Sequence, residues 1–278
     1  MRKGFKKEEY QFQNGLLPLQ IMELIPRVEG EELKPGRQFE TNATVLTVNT
    51  KTFEEQASDD FPKVNEILEL LVPVVLDSKG VIEHFLGGGL CVLYPVSHGQ
   101  ALKAAVEISR KLEGKLGCFS GISYGNIVIG TVGTKRAFTT AALSEYIGLS
   151  EFLQSLAASY YAHILISESF KKQLGENLNG YEYRFLGYLF MKSIQKMEKI
   201  YDIYAADTKE SFWLKRKTKM MFEEGVRLFT IHNYDMARKH FIEVLKANRK
   251  DSAARKYLYL CERYLEEGTR GYIYFECY

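Results

Sequence analysis

The sequence lacks the features that mark several common protein classes. Its four cysteines, Cys91, Cys118, Cys261 and Cys277, are dispersed and include no CxxC pair, which argues against a disulfide scaffold and against a zinc-binding motif. The five histidines show no metal-ligand spacing either. We therefore expect reduced cysteines, a cytoplasmic protein and no bound metal.

Long apolar runs and a large excess of positive or negative charge are also missing. No segment approaches the roughly 18–20 unbroken apolar residues of a membrane helix, and the basic residues near the N-terminus precede polar residues instead of the apolar stretch of a signal peptide. The 37 basic and 35 acidic residues leave a formal charge of +2, so composition gives no argument for a nucleic-acid or membrane partner. At 278 residues and 46% hydrophobic, the chain can form a domain with a substantial core and an appendage.

A glycine cluster is the most distinctive stretch of the sequence. In residues 80–95 (GVIEHFLGGGLCVLYP), two runs of strand composition flank three consecutive glycines, a pattern that predicts a β-hairpin. Gly87, Gly88 and Gly89 lack Cβ atoms, so they can adopt positive φ or let a ligand approach the backbone. For an isolated glycine cluster, a tight turn without a ligand is the simpler interpretation. The motifs around this cluster are what favour a binding site instead.

Strand and helix signals alternate through residues 41–207, which we predict to be one domain. The predicted elements are a strand at 43–48, a helix at 64–75 that Pro73 should kink or divide, the glycine hairpin, a helix at 99–113, a strand pair at 119–123 and 126–131 turned at Tyr124 and Gly125, a helix at 149–161, and strands at 164–167, 182–191 and 200–205. This order favours an α+β, ferredoxin-like sandwich with a central, mostly antiparallel sheet and helices on one face.

Shorter regions flank this domain. Residues 1–40 are predicted to hold an amphipathic helix at 16–25 and a linker. Small and aromatic residues at helical spacing predict an all-α helical hairpin with a third helix over 208–267, which resembles a single tetratricopeptide repeat and should pack on its own domain or on a partner. Its basic run at 215–219 is more simply a solvated helix start than a surface for an acidic partner. The aromatic tail, 268–278, is interpreted as either a disordered end or a paired edge strand.

The central domain resembles the class III adenylate/guanylate cyclase catalytic domain. The family's motifs appear in order as the first strand with its loop (43–53), the glycine hairpin (80–94), GISYGNIVIGTVG (121–133), LQSLA (153–157) and FLGYLFMKS (185–193). Residues 16–18 also look like the LP-containing helix that often precedes such domains. The resemblance implies the cyclase fold and face-to-face dimerisation.

The two metal-binding aspartates of the family are replaced here by Asn49 and Gly88. Mg²⁺-type ions need anionic oxygen ligands, whereas an amide offers one neutral oxygen and a glycine offers no side chain. Glu83 lies five residues before Gly88, and an odd separation along a strand places it on the opposite face. We interpret Glu83, Asp59 and Asp60 as solvated carboxylates. No cofactor is expected, and Mg²⁺ or Mn²⁺ would be needed only by an active cyclase.

The other family positions are altered as well. His84 replaces the base-reading lysine and Glu145 its partner aspartate; both could bind a purine edge, although a surface histidine and a helix-proximal charge are simpler interpretations. Gly148 and Phe152 replace the asparagine and arginine that stabilise the transition state, and a phenyl ring supplies no charge to a phosphate. Two candidate phosphate-binding residues remain, Lys192 and the weaker Lys51.

Losing one positioned electrostatic group typically lowers the rate by about 10²–10³, and at least four are replaced. We therefore expect a degenerate cyclase homology domain that acts as a dimerising regulatory or scaffold module in cyclic-nucleotide-type signalling. It would form a homodimer or pair with a related cyclase, and its C-terminal helices would bind a protein partner. Two alternatives stay open: an active cyclase that uses atypical residues or supplies a half-site, and a nucleotide or small-ligand sensor without turnover.

Overall fold

The computed structural model describes residues 21, 24, 34–50, 61–113, 117–271 and 274–277. The elements of the central region are β1 (Gln38–Thr50), α1 (Phe61–Asp77), β2 (Val81–Phe85), β3 (Leu90–Tyr94), α2 (His98–Leu112), β4 (Cys118–Thr134), β5 (Ala137–Leu143), α3 (Glu145–Tyr160), β6 (Ile164–Ser167), α4 (Glu168–Leu174) with a 3₁₀ turn (Gly175–Leu178), β7 (Tyr183–Met191) and β8 (Lys196–Ile203). The C-terminal elements are α5 (Lys209–Thr230), α6 (Tyr234–Ala247), α7 (Ser252–Glu267) and β9 (Tyr274–Cys277).

The nine strands found among the described residues belong to one sheet, in the order β2-β3-β1-β4-β6-β8-β7-β9, with β5 paired to β4. The pairs β4–β6 and β7–β9 are parallel, and the other pairs are antiparallel. The predicted α+β class with a mostly antiparallel sheet is therefore confirmed, and so is the glycine hairpin, which forms β2 and β3. The tail contributes β9 as an edge strand beside β7.

The turn predicted at Tyr124 and Gly125 is wrong, because β4 is one continuous strand. It pairs with β1 along the whole length of β1, and Gly125 lies opposite Ala43 in that ladder. A Cβ at Gly125 would lie 2.1 Å from the ring of Tyr146, so the glycine makes room for α3 instead of reversing the chain. The uninterrupted partner strand keeps this segment extended.

Helices pack on both faces of the sheet, so the prediction of helices on one face is also wrong. Side chains alternate between the two faces of a strand, and along β6 Ile164 and Ile166 enter the core beneath α1, α2 and α4. Leu165 enters the opposite core, which α3 shares with α5, α6 and α7. The resulting order of layers is helix, sheet, helix.

Pro73 was predicted to kink or divide its helix, and the division is wrong because α1 continues through Pro73 as one element. Leu71, Val74 and Val75 are buried on both sides of the proline, while Pro73 itself faces solvent. Most helical stability in proteins comes from packing an apolar face. Burial on both sides of Pro73 therefore maintains the helix despite the missing hydrogen-bond donor.

A buried charge network joins the sheet to α5 and to the start of α7. Arg184 of β7 donates from Nε to Asp202 of β8 (3.0 Å) and from its two terminal nitrogens to Asp251 (2.6 and 3.1 Å), the residue that caps α7. Lys215 of α5 is 3.0 Å from Asp202 and 2.9 Å from Asp207. Lys215 is therefore buried and paired, so the interpretation of the basic run as solvated fails at this residue. The predicted domain boundaries stay predictions.

Most of the helix predicted at 16–25 lies outside the described residues. Of its two described residues, Ile21 is fully buried in an apolar cluster that includes Val45 and Leu93, and Leu24 packs against the same cluster. None of the helices in the described part of the chain is long and apolar enough to cross a membrane.

Candidate functional site

The tip of the glycine hairpin meets the end of β1. The Thr50 hydroxyl donates to the carbonyl of Gly88 (3.2 Å), and a Cβ at Gly89 would lie 2.2 Å from the Val48 carbonyl oxygen. Gly87 has φ of +63°, a conformation that favours glycine. The structure thus brings Gly88 against Thr50 and Gly89 against Val48 and Asn49, so the hairpin tip packs on the end of β1.

Asn49 directs its side-chain oxygen at its own backbone. Its Oδ1 accepts a hydrogen bond from the Thr50 N–H at 2.8 Å. One lone pair of the only oxygen that this side chain offers is therefore already in use.

Helix α3 is seated on the sheet beside the hairpin. Ser144 caps the helix by accepting from the Tyr146 N–H, and the Ser150 hydroxyl lies 2.8 Å from Thr47 Oγ1 and 2.9 Å from the Gly121 carbonyl oxygen. A Cβ at Gly121 would lie 2.1 Å from the Ser150 carbonyl oxygen, so this glycine permits the close approach of the helix. Hydrogen bonds and missing side-chain volume together fix α3 against β1 and β4.

The predicted positions on α3 differ in their surroundings. A Cβ at Gly148 would meet nothing within 4 Å. Phe152 is partly buried against the apolar core beneath the C-terminal helices. Glu145 is the first residue of the helix and is exposed.

A β-bulge in β2 overturns the interpretation of Glu83 as a solvated carboxylate. The β2–β3 register shifts between Ile82 and His84, so Glu83 is the extra residue and the alternation used to place it no longer applies. The Glu83 side chain is 11% exposed and contacts His84, and its Oε1 accepts from the Ala142 N–H at 3.4 Å. Asp59 and Asp60 lie outside the described residues.

The structure adds two residues that the sequence prediction of the site omitted. Cys91 is opposite His84 in the β2–β3 ladder, and Glu151 of α3 places Oε1 3.5 Å from His84 Nε2. Burial raises the pKa of Cys91 to about 12, and the nearby charge of Glu151 acts in the same direction. The position of Glu151 within the predicted helix gives no signal that it faces a strand far earlier in the chain.

Of the two predicted phosphate-binding lysines, the structure describes Lys192, which pairs with the C-terminal strand. Lys192 lies in the turn after β7, where its Nζ is 2.6 Å from Glu276 of β9 and its N–H donates to the Cys277 carbonyl. Lys51 lies outside the described residues.

No protein-family model matches the sequence. A bacterial light-regulated adenylyl cyclase superposes with a TM-score of 0.54 at 14% identity, covering 62% of this chain and 54% of that chain. The adenylyl cyclase CyaB from P. aeruginosa superposes with a TM-score of 0.51 at 17% identity, covering 60% of this chain and 95% of that chain.

The chain carries a class III adenylate/guanylate cyclase fold. In sequence it is 23% identical over 264 residues to the "Adenylate cyclase, terminal-differentiation specific" of Dictyostelium discoideum. That match covers 88% of this chain but only 12% of the much longer relative. Because 88% exceeds the share held by residues 1–207, the similarity in sequence extends into the C-terminal helices.

Proposed function

We propose that this chain is a catalytically degenerate cyclase homology domain that regulates or scaffolds a cyclic-nucleotide-type signalling assembly. The observation that carries the proposal is the residue type at two neighbouring positions: Asn49 at the end of β1 and Gly88 at the hairpin tip, which contacts Thr50, stand where the fold's two metal-binding carboxylates are expected. Asn49 offers one neutral oxygen, which already accepts from Thr50. Two Mg²⁺ ions need several anionic oxygens to stabilise an attacking oxygen and the phosphates.

The charge that would stabilise a phosphoryl transition state is also reduced. Phe152 stands where a guanidinium is expected and packs into the apolar core. Lys192, the remaining candidate, forms an ion pair with Glu276. Preorganised charges aimed at the phosphates account for much of the rate in this kind of chemistry, so we expect no useful turnover.

The C-terminal helices, which pack on the sheet, support a regulatory role. The match to the adenylate cyclase of Dictyostelium discoideum includes C-terminal helices that form one hydrophobic core with the sheet. We propose that residues 41–207 form the cyclase homology domain, that the region is a homodimer or pairs with a related cyclase, and that residues 208–267 present a surface to a protein partner.

Sedimentation of the full chain tests this proposal. We expect a dimer at micromolar concentration, or a complex once a catalytically competent class III cyclase domain is added, with the product rate of the cyclase changed in the mixture. A chain that sediments as a monomer, binds no cyclase domain and leaves its rate unaltered would contradict the proposed role.

The sensor alternative gains some support from the cluster of polar side chains around His84 next to the glycine turn. His84 contacts both Glu83 and Glu151, and such a set could bind the edge of a purine base. Thermal stabilisation by ATP or GTP without product formation would favour this alternative over a pure scaffold.

A further inference from the structure

We propose that Glu83, His84 and Cys91 bind a transition-metal ion of the zinc class, with Glu151 orienting the histidine. This site is separate from the position of the two metal ions that the cyclase resemblance implies, which falls on Asn49 and Gly88. It does not rest on the proposed function, because the loss of catalysis is argued from Asn49, Gly88 and Phe152 and not from these side chains.

The bulge in β2 is what brings the ligand atoms together. In a regular strand, consecutive side chains point to opposite faces of the sheet. The register shift between Ile82 and His84 instead leaves Glu83 as an extra residue beside His84, which is opposite Cys91, and bulges commonly re-aim side chains in this way. One oxygen of Glu83, one ring nitrogen of His84 and the sulfur of Cys91 all lie within 4.8 Å of one another.

This spacing suits a tetrahedral ion after small side-chain movements. Zinc binds sulfur at about 2.3 Å and nitrogen or oxygen at about 2.0–2.2 Å, so the ligand atoms around one tetrahedral ion lie roughly 3–4 Å apart. That separation is inside the 4.8 Å limit of this cluster. Three protein ligands would leave a fourth position open, the arrangement typical of zinc sites that bind water or a substrate.

The two ring nitrogens of His84 have the partners that a metal-binding histidine commonly has. Nδ1 faces Glu83, while Nε2 lies 3.5 Å from Oε1 of Glu151 on α3. Ligating histidines usually direct the other ring nitrogen at a carboxylate, which fixes the tautomer and the orientation of the ring. Glu151 is therefore a positioning residue, and it belongs to an element that the hydrogen bonds of Ser150 anchor to the sheet.

The charges at the site favour a cation. Among the described residues, the ion pairs of Glu83 and Glu151 are both with His84. A thiolate and an imidazole select zinc, cobalt or related ions over Mg²⁺. Because burial keeps the Cys91 thiol protonated in the metal-free protein, binding forms the sulfur–metal bond as the S–H bond breaks, and the proton passes to the buffer.

Titration of the purified full chain with Co²⁺, followed by absorption, tests the proposal, since a thiolate ligand gives a near-ultraviolet charge-transfer band. We expect one Co²⁺ per chain, displaced by Zn²⁺, with that band present. Cys91→Ser should abolish the band, and His84→Gln should abolish tight binding. Glu151→Gln should keep the band and weaken binding by about 10–100-fold, as expected for a residue that orients a ligand.

Cys118→Ser is the matched control, because Cys118 is also buried and also lies near a histidine, His163, which is 3.4 Å from its carbonyl oxygen. It should leave both the band and the affinity unchanged. His84 is 37% exposed, so its replacement should not unfold the chain, and circular dichroism checks this. Absence of bound Co²⁺, a band that survives Cys91→Ser, or unchanged affinity in His84→Gln would overturn the site.

Discussion

The backbone of the hairpin requires glycine at particular positions, and the sequence only partly reveals which ones. The three glycines predicted a turn, and Gly87 adopts the positive φ that such a turn uses. The need for glycine at position 89 comes from Val48, because β3 pairs with β1. A close approach between residues so far apart in the chain has no local signature, so the sequence could indicate the turn but not which glycine is sterically required.

Two glycine-to-alanine variants should therefore behave in opposite ways. Gly89→Ala places a Cβ 2.2 Å from the Val48 carbonyl oxygen and should lower the free energy of unfolding by about 1–3 kcal/mol or more. Gly148→Ala, whose Cβ meets nothing within 4 Å on α3, should raise it by up to about 1 kcal/mol. Urea unfolding of both variants measures the difference, and equal effects would contradict the packing described at the hairpin tip.

The bulge at Glu83 marks the limit of prediction at the candidate site. The family resemblance assigned Asn49, Gly88 and His84 to positions of one site, and the structure brings the hairpin and β1 together. The sequence gives no sign of the extra residue in β2, so strict alternation assigned Glu83 to solvent. Glu151 was missed for a related reason, since its neighbour His84 is brought to it only by the seating of α3 on the sheet.

Among the elements, the C-terminal helices depend on buried charge as well as on apolar packing. The helical spacing of Phe222, Phe229 and Phe241 was visible in the sequence and predicted helices. The burial of Lys215 was not visible within a run of basic residues, because its partners Asp202 and Asp207 belong to other elements. The sheet and the helices therefore share a network that only the tertiary fold assembles.

Asp251→Asn tests this network while keeping a residue type that can cap α7. Removing one partner of a buried ion pair typically costs about 3–5 kcal/mol, so we expect a loss of that order in urea unfolding, since Arg184 would remain buried. Asp235→Asn is the control: its exposed pair with Lys239 should contribute no more than about 1 kcal/mol. Equal losses in the two variants would contradict a stabilising network.

The same variant should change how stability depends on pH. Burial favours the neutral carboxyl of Asp251, but the charges of Arg184 and Lys215 outweigh it and hold its pKa below the ordinary value. A carboxyl with a lowered pKa in the folded state stabilises the protein above its ordinary pKa, and this contribution is lost as pH falls toward the lowered value. The wild type should therefore lose more stability than Asp251→Asn during acid titration below about pH 4.

For the whole molecule, the order of motifs predicted the fold class better than it predicted the layers. Alternating strands and helices indicated an α+β sheet, but the periodicity of one helix does not say which face of the sheet it covers. The helices on both faces follow from the two-sided burial of strands such as β6, with Ile164 and Ile166 on one side and Leu165 on the other. The cyclase fold is thus joined to a C-terminal layer that completes its second core.

The most direct test of catalytic degeneracy is product formation by the purified full chain, supplied with ATP and with GTP in the presence of Mn²⁺. We expect no cyclic nucleotide above a buffer blank, because Asn49, Gly88 and Phe152 supply neither anionic metal ligands nor charge to the phosphates. Turnover that survives repurification and is abolished by His84→Gln or Lys192→Ala would contradict the claim. The chain would then be a cyclase that uses atypical residues.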